Sequence, residues 1–500
     1  MRYAFVVDNH RCIGCHACSV ACKTENHVPL GVFRTWVKYV EKGRFPNTRR
    51  HFQVTRCNHC AEPPCVAICP VAAVSQRRDG IVDFNSARCI GCKACMQACP
   101  YDAIYIDPER HTAAKCNFCV HRTDLGLAPT CVAACPARAI IAGDLDDPQS
   151  EISRIIGRGQ VSVRKAEQGT RPMLFYVGAE QTAIIPGASR NDRAYMWSEP
   201  NHALDGGHET RAGLPTGGRT VYDVEHERPW GWQIPTYFWT KSISAGIFAV
   251  PALACAAGLP APAALGGLLL SGLALLFMAA TLALLLGDLS RRERFLRVLR
   301  RPRWQSWVSR GAFLLVAYVC MTAAFGIAHL VHAPRLATLL LLPTAITGGL
   351  AAVYTAFLLG QCEGRDLWQA PLLPLHLIVQ AAIAGTAVLA VLGVGATALP
   401  VIWWVLAAGL GLHLLMVTIE LGPRHATGNS LLAARAITRG RYRRIFWGGA
   451  IVVGGVMPAL LLAAGPAAVW ATAASGGLAL LGLLAFEWCF IMGGQIAPNS

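Results

Sequence analysis

Hydrophobic and polar positions are distributed unevenly along this chain of 500 residues. Up to about residue 232 charged and apolar residues alternate over short distances, whereas long runs of Leu, Ala, Gly and Val dominate the rest. These runs form eight apolar stretches of about 20 residues, the length that crosses a bilayer as a helix. They lie near residues 236–257, 262–286, 309–330, 336–359, 371–394, 398–421, 444–464 and 467–491. Because a soluble protein would have to bury eight such helices in succession, the pattern predicts a soluble domain followed by an all-α polytopic membrane domain at residues 233–500.

Cysteine content changes the picture of the soluble half, because sixteen of the 20 cysteines fall between Cys12 and Cys135. A disulfide scaffold would need an oxidising compartment. The first residues, MRYAFVVDNHRC, do not show the charged, apolar and small-residue segments of a secretory signal, so we expect none. Reduced thiolates that bind a metal fit this setting better.

The sixteen cysteines form four groups with short spacings. They are Cys12, Cys15, Cys18 and Cys22; Cys57, Cys60, Cys65 and Cys69; Cys89, Cys92, Cys95 and Cys99; and Cys116, Cys119, Cys131 and Cys135. A cubane iron–sulfur cluster needs a thiolate on each of four iron corners. Three cysteines on one tight loop reach three corners, and the fourth cysteine of a group binds the other cluster of a pair. Zinc ribbons use two well-separated CxxC pairs, so this spacing favours iron–sulfur clusters over zinc.

The first and third groups repeat nearly the same sequence, CIGCHACSVAC at 12–22 and CIGCKACMQAC at 89–99. The second and fourth groups have a looser spacing. We therefore expect an α+β domain at residues 1–165 that is a duplicated bacterial ferredoxin. Sixteen cysteines supply four ligands to each of four [4Fe–4S] clusters, and no ligand position carries another residue type.

The stretches TRCNHCAEPPCVAICP, CIGCKACMQACPYDA and KCNFC with CVAACP resemble the four-cluster iron–sulfur subunits of polysulfide reductase, dimethyl-sulfoxide reductase and related molybdenum enzymes. Lys23 departs from that pattern, because a proline follows each of the other three groups. The resemblance implies a partner subunit with a molybdenum or tungsten bis-pterin centre. It also implies four ligand sets, which are Cys12, Cys15, Cys18 and Cys135 (set 1); Cys22, Cys116, Cys119 and Cys131 (set 2); Cys57, Cys60, Cys65 and Cys99 (set 3); and Cys69, Cys89, Cys92 and Cys95 (set 4).

The stretch between the two domains, residues 166–232, contains many turn formers, among them PGAS, DGGHE and PTGG. It predicts an irregular linker, or a strap that lies across a partner or across the membrane domain.

Arginines are distributed asymmetrically around the predicted spans. With eight spans, the soluble domain and the loops after spans two, four and six lie on one side, and those loops with their flanks hold fifteen arginines. The opposite loops hold only Arg335. The positive-inside rule therefore predicts an inner-membrane protein whose iron–sulfur domain faces the cytoplasm. Export together with a partner, or the use of arginines for docking, would weaken this prediction.

Three stretches of the membrane half, WGWQIPTYFWTKSISAG at 230–246, GDLSRRERFLRVLRRPRWQSWVSRGAF at 287–313 and LGQCEGRDLWQAPLLPLHL at 359–377, resemble the NrfD-type membrane subunit of polysulfide reductase. The resemblance implies two four-helix bundles that react with a quinone, menaquinone or ubiquinone, and that carry no haem. It also implies that two subunits which are usually separate are fused here.

Ionisable and polar residues at membrane depth are costly and suggest function. One set gathers toward the iron–sulfur side and predicts a quinone site near the last cluster, since a quinone needs hydrogen-bond donors and a source of protons. Its members are Lys241, Asp288, Arg310, Tyr354, Gln361, Asp366 and His376. For any one of them, snorkelling to the interface is the alternative.

A second set, His413 and Glu420 on span six and Glu487 on span eight, suggests a proton path. His413 and Glu420 are seven residues apart and therefore share a helix face. A hydrogen bond that only fixes helix packing is the alternative. Paired histidine ligands to haem are a further alternative, which we do not expect.

Together these features predict an electron-transfer, quinone-reactive subunit of a membrane-bound respiratory oxidoreductase. The expected partners are a molybdenum or tungsten catalytic subunit and a membrane quinone, with no nucleic acid among them. Two alternatives remain open: a redox-driven proton or ion translocator, and an assembly anchor that relays electrons to another membrane protein.

Overall fold

A computed structural model describes residues 1–44, 46–189, 218–256, 258, 266–393, 399–422 and 425–500. The amino-terminal half consists of small sheets joined by short helices. Its strands are β1 (Tyr3–Asp8), β2 (Thr35–Arg44), β3 (Asn47–Arg56), β4 (Val74–Gln76), β5 (Val82–Phe84), β6 (Ile104–Ile106), β7 (Ala113–Lys115), β8 (Ile140–Asp144), β9 (Val161–Ser162), β10 (Leu174–Val177) and β11 (Gly218–Tyr222). Its α-helices are α1 (Ala17–Glu25), α2 (Pro64–Ile68), α3 (Ala94–Ala98), α4 (Val120–Thr123), α5 (Thr130–Ala133), α6 (Glu151–Gly157) and α7 (Gln181–Ile184).

The strands form four sheets. One has the order β8-β1-β10-β9, in which β1 is parallel to β10 and antiparallel to β8. A second has the order β11-β2-β3 and is antiparallel, while β4 pairs with β5 and β6 pairs with β7. Residues 4–7 of β1 are apolar and fully buried, and burial of these side chains stabilises the first sheet.

The repeated sequences at 12–22 and 89–99 adopt the same backbone. Gly14 and Gly91 both have a positive φ, of 71° and 70°, and His16 and Lys93 both have a φ of 60°. This left-handed region is open to glycine without strain. At Gly14 a Cβ atom would also collide with the Phe52 ring, and at Gly91 with the Ser290 side chain. The sequence repeat is therefore a structural repeat.

The stretch predicted as an irregular linker contributes strands to the soluble domain. β10 lies beside β1 in the four-stranded sheet, and β11 pairs with β2. The soluble domain thus extends past the predicted boundary at residue 165. The reason is that short strands are stabilised by partners distant in sequence, which turn-forming residues alone do not reveal. Residues 190–217 of the linker lie outside the described residues.

Among the described residues of the second half, eight helices are long and apolar enough to cross a membrane, and we number them spans 1 to 8. They are Gln233–Ala256, Gly267–Asp288, Trp307–Leu330, Pro334–Gly360, Leu373–Val391, Pro400–Glu420, Ile445–Leu462 and Val469–Gly494. The predicted number of spans is confirmed, and the ends agree within about five residues. Span 7 begins as a π-helix, Ile445–Val456, a form that the apolar pattern does not distinguish from an α-helix.

Spans 1–4 pack together and spans 5–8 pack together, with spans 1 and 5 in contact between the two groups. In the most apolar stretch of spans 1 and 5, 72% of the residues are buried within the protein, more than in any other span described. They cross where Gly246 faces Gly385, and a Cβ on Gly246 would lie 1.7 Å from the Ala381 oxygen. Small residues at this crossing allow the two backbones to approach closely. The predicted fold, a ferredoxin-like α+β region followed by an eight-helix membrane region, is confirmed.

Candidate metal centres and membrane site

Short helices position the last cysteines of the four groups. Cys22 lies on α1, Cys69 directly follows α2, Cys99 directly follows α3, and Cys135 lies two residues beyond α5. Most of the sixteen thiols are buried, while Cys12, Cys92 and Cys135 are half-buried and Cys15 is exposed. The buried thiols therefore lie in the protein interior, and the cysteine cluster reaches the solvent-exposed surface at Cys15.

Two cavities in the soluble domain are lined by complete sets of four cysteines. Cys57, Cys60, Cys65 and Cys99, which are set 3, line one of them together with Tyr101 and Ile104. Cys22, Cys116, Cys119 and Cys131, which are set 2, line the other together with Arg56 and Asn26. In both cavities three cysteines of one group meet the last cysteine of another.

The members of sets 1 and 4 also lie close to one another. Burial raises the pKa of the Cys12 thiol, and the neighbouring Cys135 and Cys15 thiols raise it further. Burial likewise raises the pKa of Cys92 to about 12, and Cys69 and Cys89 add to the shift. Each of the four sets implied by the resemblance is thus brought together in space.

The sets are arranged in a row. Burial raises the pKa of Cys18 in set 1 to about 11, and Cys131 of set 2 adds to this shift. Burial raises the pKa of Cys116 in set 2 to about 12, and Cys57 of set 3 adds to it. Burial also raises the pKa of Cys95 in set 4, with a contribution from Cys65 of set 3. Neighbouring thiols therefore connect the sets in the order 1, 2, 3, 4.

The donor chemistry fits iron–sulfur clusters. Four crowded thiols in a low-dielectric interior resist ionisation, so a strongly cationic centre must stabilise the thiolates. All donors are sulfur, the ligand that these clusters use. Backbone N–H groups already donate to sulfurs in these sets, for example from Ala73 to Cys69 Sγ and from Ala139 to Cys135 Sγ, each at 3.2 Å. Arg56 Nε and Nη2 are buried and have no partner in the part of the chain that the structure describes, so they offer further donors to a group in the set 2 cavity.

Set 4 lies against the membrane domain. The loop after span 2 follows the Cys89 loop, with Ser290 N donating to Gly91 O at 3.2 Å and Arg291 N donating to Ile90 O at 3.1 Å. Arg294 Nη1 donates to the oxygens of Ser86 and Cys89, at 2.9 and 3.1 Å. At the start of span 3, Ser309 Oγ donates to Pro70 O at 3.1 Å. Spans 2 and 3 therefore hold the last cysteine set at the membrane surface.

Three of the predicted quinone-site residues have protein partners at this interface. Asp288 forms an ion pair with Lys93 of the Cys89 loop at 2.9 Å. Arg310 donates to Trp304 O at 2.6 Å and lies over the Trp307 ring. Gln361 Oε1 accepts from Trp307 N at 2.8 Å. These polar side chains join the domains or cap a helix, and they do not converge on one point.

Lys241 and Tyr354 lie deeper, between spans 1 and 4. Lys241 Nζ donates to Thr355 Oγ1 at 2.5 Å and to Ala352 O at 3.0 Å, and it lies over the Phe238 and Tyr354 rings. Lys241 also interacts electrostatically with Glu487 on span 8. The buried Lys241 side chain is thus hydrogen-bonded to span 4 and interacts with a carboxyl group of span 8.

The structure joins His376 to the second predicted set. His376 Nδ1 lies 2.8 Å from Glu420 Oε2, and His376 Nε2 lies 2.8 Å from His413 Nδ1. When Nδ1–H donates to the carboxylate, Nε2 is free to accept from His413 Nδ1–H. The Phe486 ring packs against both imidazoles, and its neighbour Glu487 has a buried Oε1 for which no described residue provides a partner. We call Glu420, His376 and His413 the membrane triad.

The triad borders a cavity at the iron–sulfur side. Glu420, Asp366, Glu363 and His425 are among the residues that line this cavity of about 410 Å³. Glu420 Oε1 and His425 Nε2 have no hydrogen-bond partner among the described residues. His425 also lines an apolar groove of about 890 Å³. The groove lies between span 6, the connecting helix Gly428–Thr438 and span 7, and its wall includes Val417, Leu431, Phe446, Trp447 and Ile451.

A short loop connects this cavity to the cysteine sets. Arg365 Nε donates to Gln97 Oε1 at 2.7 Å, and Gln97 lies between Cys95 of set 4 and Cys99 of set 3. Asp366, the next residue, accepts from Thr427 Oγ1 at 2.6 Å and lines the cavity. A single loop, which contains Arg365 and Asp366, therefore connects the cavity to the cysteines of sets 3 and 4.

Sequence reasoning missed Arg56, His425 and a clamp formed by residues 495–500. In this clamp Asn499 accepts from Arg164 Nη2 at 2.7 Å and from Lys165 Nζ at 2.5 Å, and Gln495 accepts from Gln97 at 2.7 Å. Arg56 directly precedes Cys57 in the sequence, and this position next to a cysteine group was the signal that could have indicated a role for it. His425 and the clamp gave no signal, because their importance depends on contacts between distant segments.

A domain whose cysteine groups meet in space, with two complete sets of four lining cavities, is joined to eight apolar spans in the described part of the second half. This combination defines the chain as an integral membrane iron–sulfur protein. Comparison with known proteins agrees with this class. A family described as a 4Fe-4S dicluster domain matches residues 48–145, and one described as polysulphide reductase, NrfD, matches residues 221–499. This protein belongs to the NrfD polysulphide reductase family, with an iron–sulfur domain fused ahead of it.

Curated relatives align with the soluble half. A tetrathionate reductase subunit of Salmonella typhimurium is 45% identical over 202 residues, which cover 40% of this protein and 80% of that subunit. The arsenate respiratory reductase iron–sulfur subunit ArrB of a Shewanella species is 36% identical over 225 residues, 35% of this protein and 96% of ArrB. Protein NrfC of Escherichia coli is 43% identical over 181 residues, 35% of this protein and 81% of NrfC. The fusion thus combines the two components of an electron-transfer path between a catalytic subunit and the quinone pool, and the protein is a subunit of an oxidoreductase.

Proposed function

We propose that this chain holds four [4Fe–4S] clusters and passes electrons between a separate catalytic subunit and a quinone bound in its own membrane domain. The observation that carries the proposal is the row of four cysteine sets, whose last set is held by spans 2 and 3. The clusters supply one-electron transfer. Sets 1 to 4, as defined above, are the proposed ligands, with Cys57 and Cys116 at the junction of sets 2 and 3.

The partner is expected to dock at set 1. Cys15 is exposed there, and the apolar side chains of Ile13 and Val20 on the same loop and helix are 61% and 63% exposed. Exposed apolar side chains beside a redox centre are typical of a docking surface. The relatives named above include subunits of reductases, which supports a molybdenum or tungsten bis-pterin subunit as the partner.

We place the quinone head group in the cavity lined by Glu420 and His425, with its isoprenoid tail in the adjoining apolar groove. His425 Nε2 can donate to a quinone carbonyl, and Glu420 can deliver a proton to the other one. The triad then lets His376 and His413 return a proton to Glu420 along two 2.8 Å hydrogen bonds. Among the residues predicted for this site, Asp366 and His376 support this location best. Asp288 is assigned to the domain interface, and Arg310 and Gln361 are assigned to contacts at the start of span 3.

The soluble domain is proposed to face the cytoplasm. Arg291, Arg294 and Arg297 donate to carbonyls of the soluble domain, so part of the arginine excess serves docking. The other arginines of that side still outnumber Arg335 on the opposite side, apart from Arg424, which lies outside the described residues. Cysteine introduced at His332 and labelled in intact cells by an impermeant maleimide is expected to react, whereas cysteine introduced at Arg301 is not. The reverse pattern would contradict this orientation.

The electron path is tested by removing one proposed ligand. Cys92→Ser is expected to lower the iron and acid-labile sulfide of the purified protein and to abolish electron transfer from reduced clusters to a water-soluble quinone. Cys320→Ser, an exposed cysteine of span 3, should change neither quantity. Full quinone reduction by Cys92→Ser would contradict the proposed path.

The buried triad also favours a second candidate, redox-driven proton translocation. In vesicles that contain a pH-sensitive dye, translocation would move protons across the bilayer during quinone reduction, whereas local protonation at the head group would take them up from one side only. Loss of transmembrane movement in His413→Asn with retained quinone reduction would support translocation. No movement in the parent protein would reject it.

A further inference from the structure

Arg56 is a cation in the dry interior between two cysteine sets. It ends strand β3, is fully buried, and lies over the Phe5 ring with its guanidinium carbon 4.5 Å from the ring centre. Its Nη1 donates to Cys131 Sγ of set 2 at 2.9 Å. Cys18 of set 1 and Cys116 of set 2 are also among its electrostatic partners.

The guanidinium lacks the partners that a buried arginine normally has. Within the described residues it forms no ion pair with a carboxylate, and its Nε and Nη2 have no hydrogen-bond partner. A buried charge with unpaired donors is strongly destabilising. Arg56 nevertheless lines the cavity bounded by Cys22, Cys116, Cys119 and Cys131, so its free donors are next to the space between these sulfurs.

We propose that Arg56 is the counter-charge of the cluster in set 2 and sets its reduction potential. This inference rests on the proposed function. Nη1–H donates to Cys131 Sγ, and Nε–H and Nη2–H would donate to sulfur of a cluster bound in this cavity. When one electron enters, the cluster with its thiolates becomes more negative by one charge. Arg56 keeps its proton, so the electron is balanced by a fixed cation and no proton moves. The reduced state is thereby stabilised, and the potential is raised relative to the same site without the cation.

The test is a redox titration monitored by electron paramagnetic resonance on the full-length protein, purified without oxygen. Iron and sulfide are measured first. Arg56→Gln is expected to retain four clusters and to lower the midpoint of one of them, with at least a tenfold fall in its reduction equilibrium constant, 59 mV for a one-electron couple. Arg50→Gln is the matched control, because it removes an exposed arginine of the same strand that pairs with Glu41. It should change each constant less than twofold.

The outcomes separate the inference from the proposed function. A parent protein with iron for fewer than four clusters would contradict the proposed function. Four clusters in Arg56→Gln with unchanged midpoints would overturn the inference alone. If Arg56→Gln does not hold its clusters, Arg56→Lys decides, because lysine keeps the charge but loses the fork of donors. A smaller shift in the same direction would support the inference, and unchanged midpoints would overturn it.

Discussion

The ion pair between Asp288 and Lys93 separates two roles for a carboxylate at the membrane surface. The sequence suggested a quinone-site role for Asp288, whereas its 2.9 Å contact with Lys93 joins span 2 to the Cys89 loop. The two side chains are only 6% and 20% exposed, so the pair is largely shielded from water. A hydrogen-bonded charge pair of this kind contributes about 2 kcal/mol. In Asp288→Asn, the population of molecules in which the loop after span 2 has separated from the soluble domain should therefore be about 30-fold larger.

Trypsin provides the assay, because the loop after span 2 is rich in arginine and its contacts with the soluble domain must open before cleavage. Where opening is faster than cleavage, the rate follows the open population. Cleavage at residues 291–303 is expected to accelerate about 30-fold, and cleavage at Arg335 on the opposite side should stay constant. Glu293→Gln, which removes an exposed pair in the same loop, should change the rate less than threefold. Unchanged cleavage together with a raised KM for quinone would refute the docking role.

Three further changes test other parts of the structure. Gly91→Ala should lower the free energy of unfolding by about 2–4 kcal/mol and lower the iron content, because its Cβ would lie 2.5 Å from Ser290 Cβ. Gly126→Ala, with a similar positive φ and open space around it, should retain iron. Equal iron loss in both variants would contradict the contact. His376→Asn should lower the rate of quinone reduction about 100-fold without affecting chemical reduction of the clusters. His332→Asn, at the opposite end of the spans, should have no effect. Normal quinone reduction by His376→Asn would exclude a role for the membrane triad in proton delivery. Burial lowers the pKa of Lys165 to about 7, so above pH 7 the unfolded state binds more protons than the folded state. The free energy of unfolding should therefore rise by about 2 kcal/mol from pH 7 to pH 9. Lys165→Met should remove this rise, whereas Lys42→Met, at an exposed lysine, should leave it unchanged. A rise that persists in Lys165→Met would show that Lys165 is not its source.

The membrane spans and the cysteine pattern could be predicted because each depends on local sequence. A run of about 20 apolar residues has few alternatives to a spanning helix. The spacing of Cys89, Cys92 and Cys95 fixes a loop of one size whatever surrounds it. The β10 strand could not be predicted in the same way, since four residues become a strand only beside β1.

The membrane site was predicted only in part, because helix rotation decides which polar side chains meet. The seven-residue interval placed His413 and Glu420 on one face of span 6. It could not show that His376 of span 5 lies between them. Asp288 and Gln361 have the same residue types as plausible quinone ligands. The partner of Asp288 belongs to the soluble domain, and that of Gln361 is the first residue of span 3. Sequence alone does not reveal such partners.

The central claim is that electrons leave the row of clusters through a quinone bound in the same protein. The most direct measurement uses the purified protein in liposomes without any partner, reduced chemically and then mixed with a menaquinone analogue. We predict that the visible absorbance of all four clusters returns to the oxidised level, and that the quinone is reduced in matching amount. Clusters that stay reduced with the quinone, yet are reoxidised by a soluble inorganic oxidant, would contradict the claim.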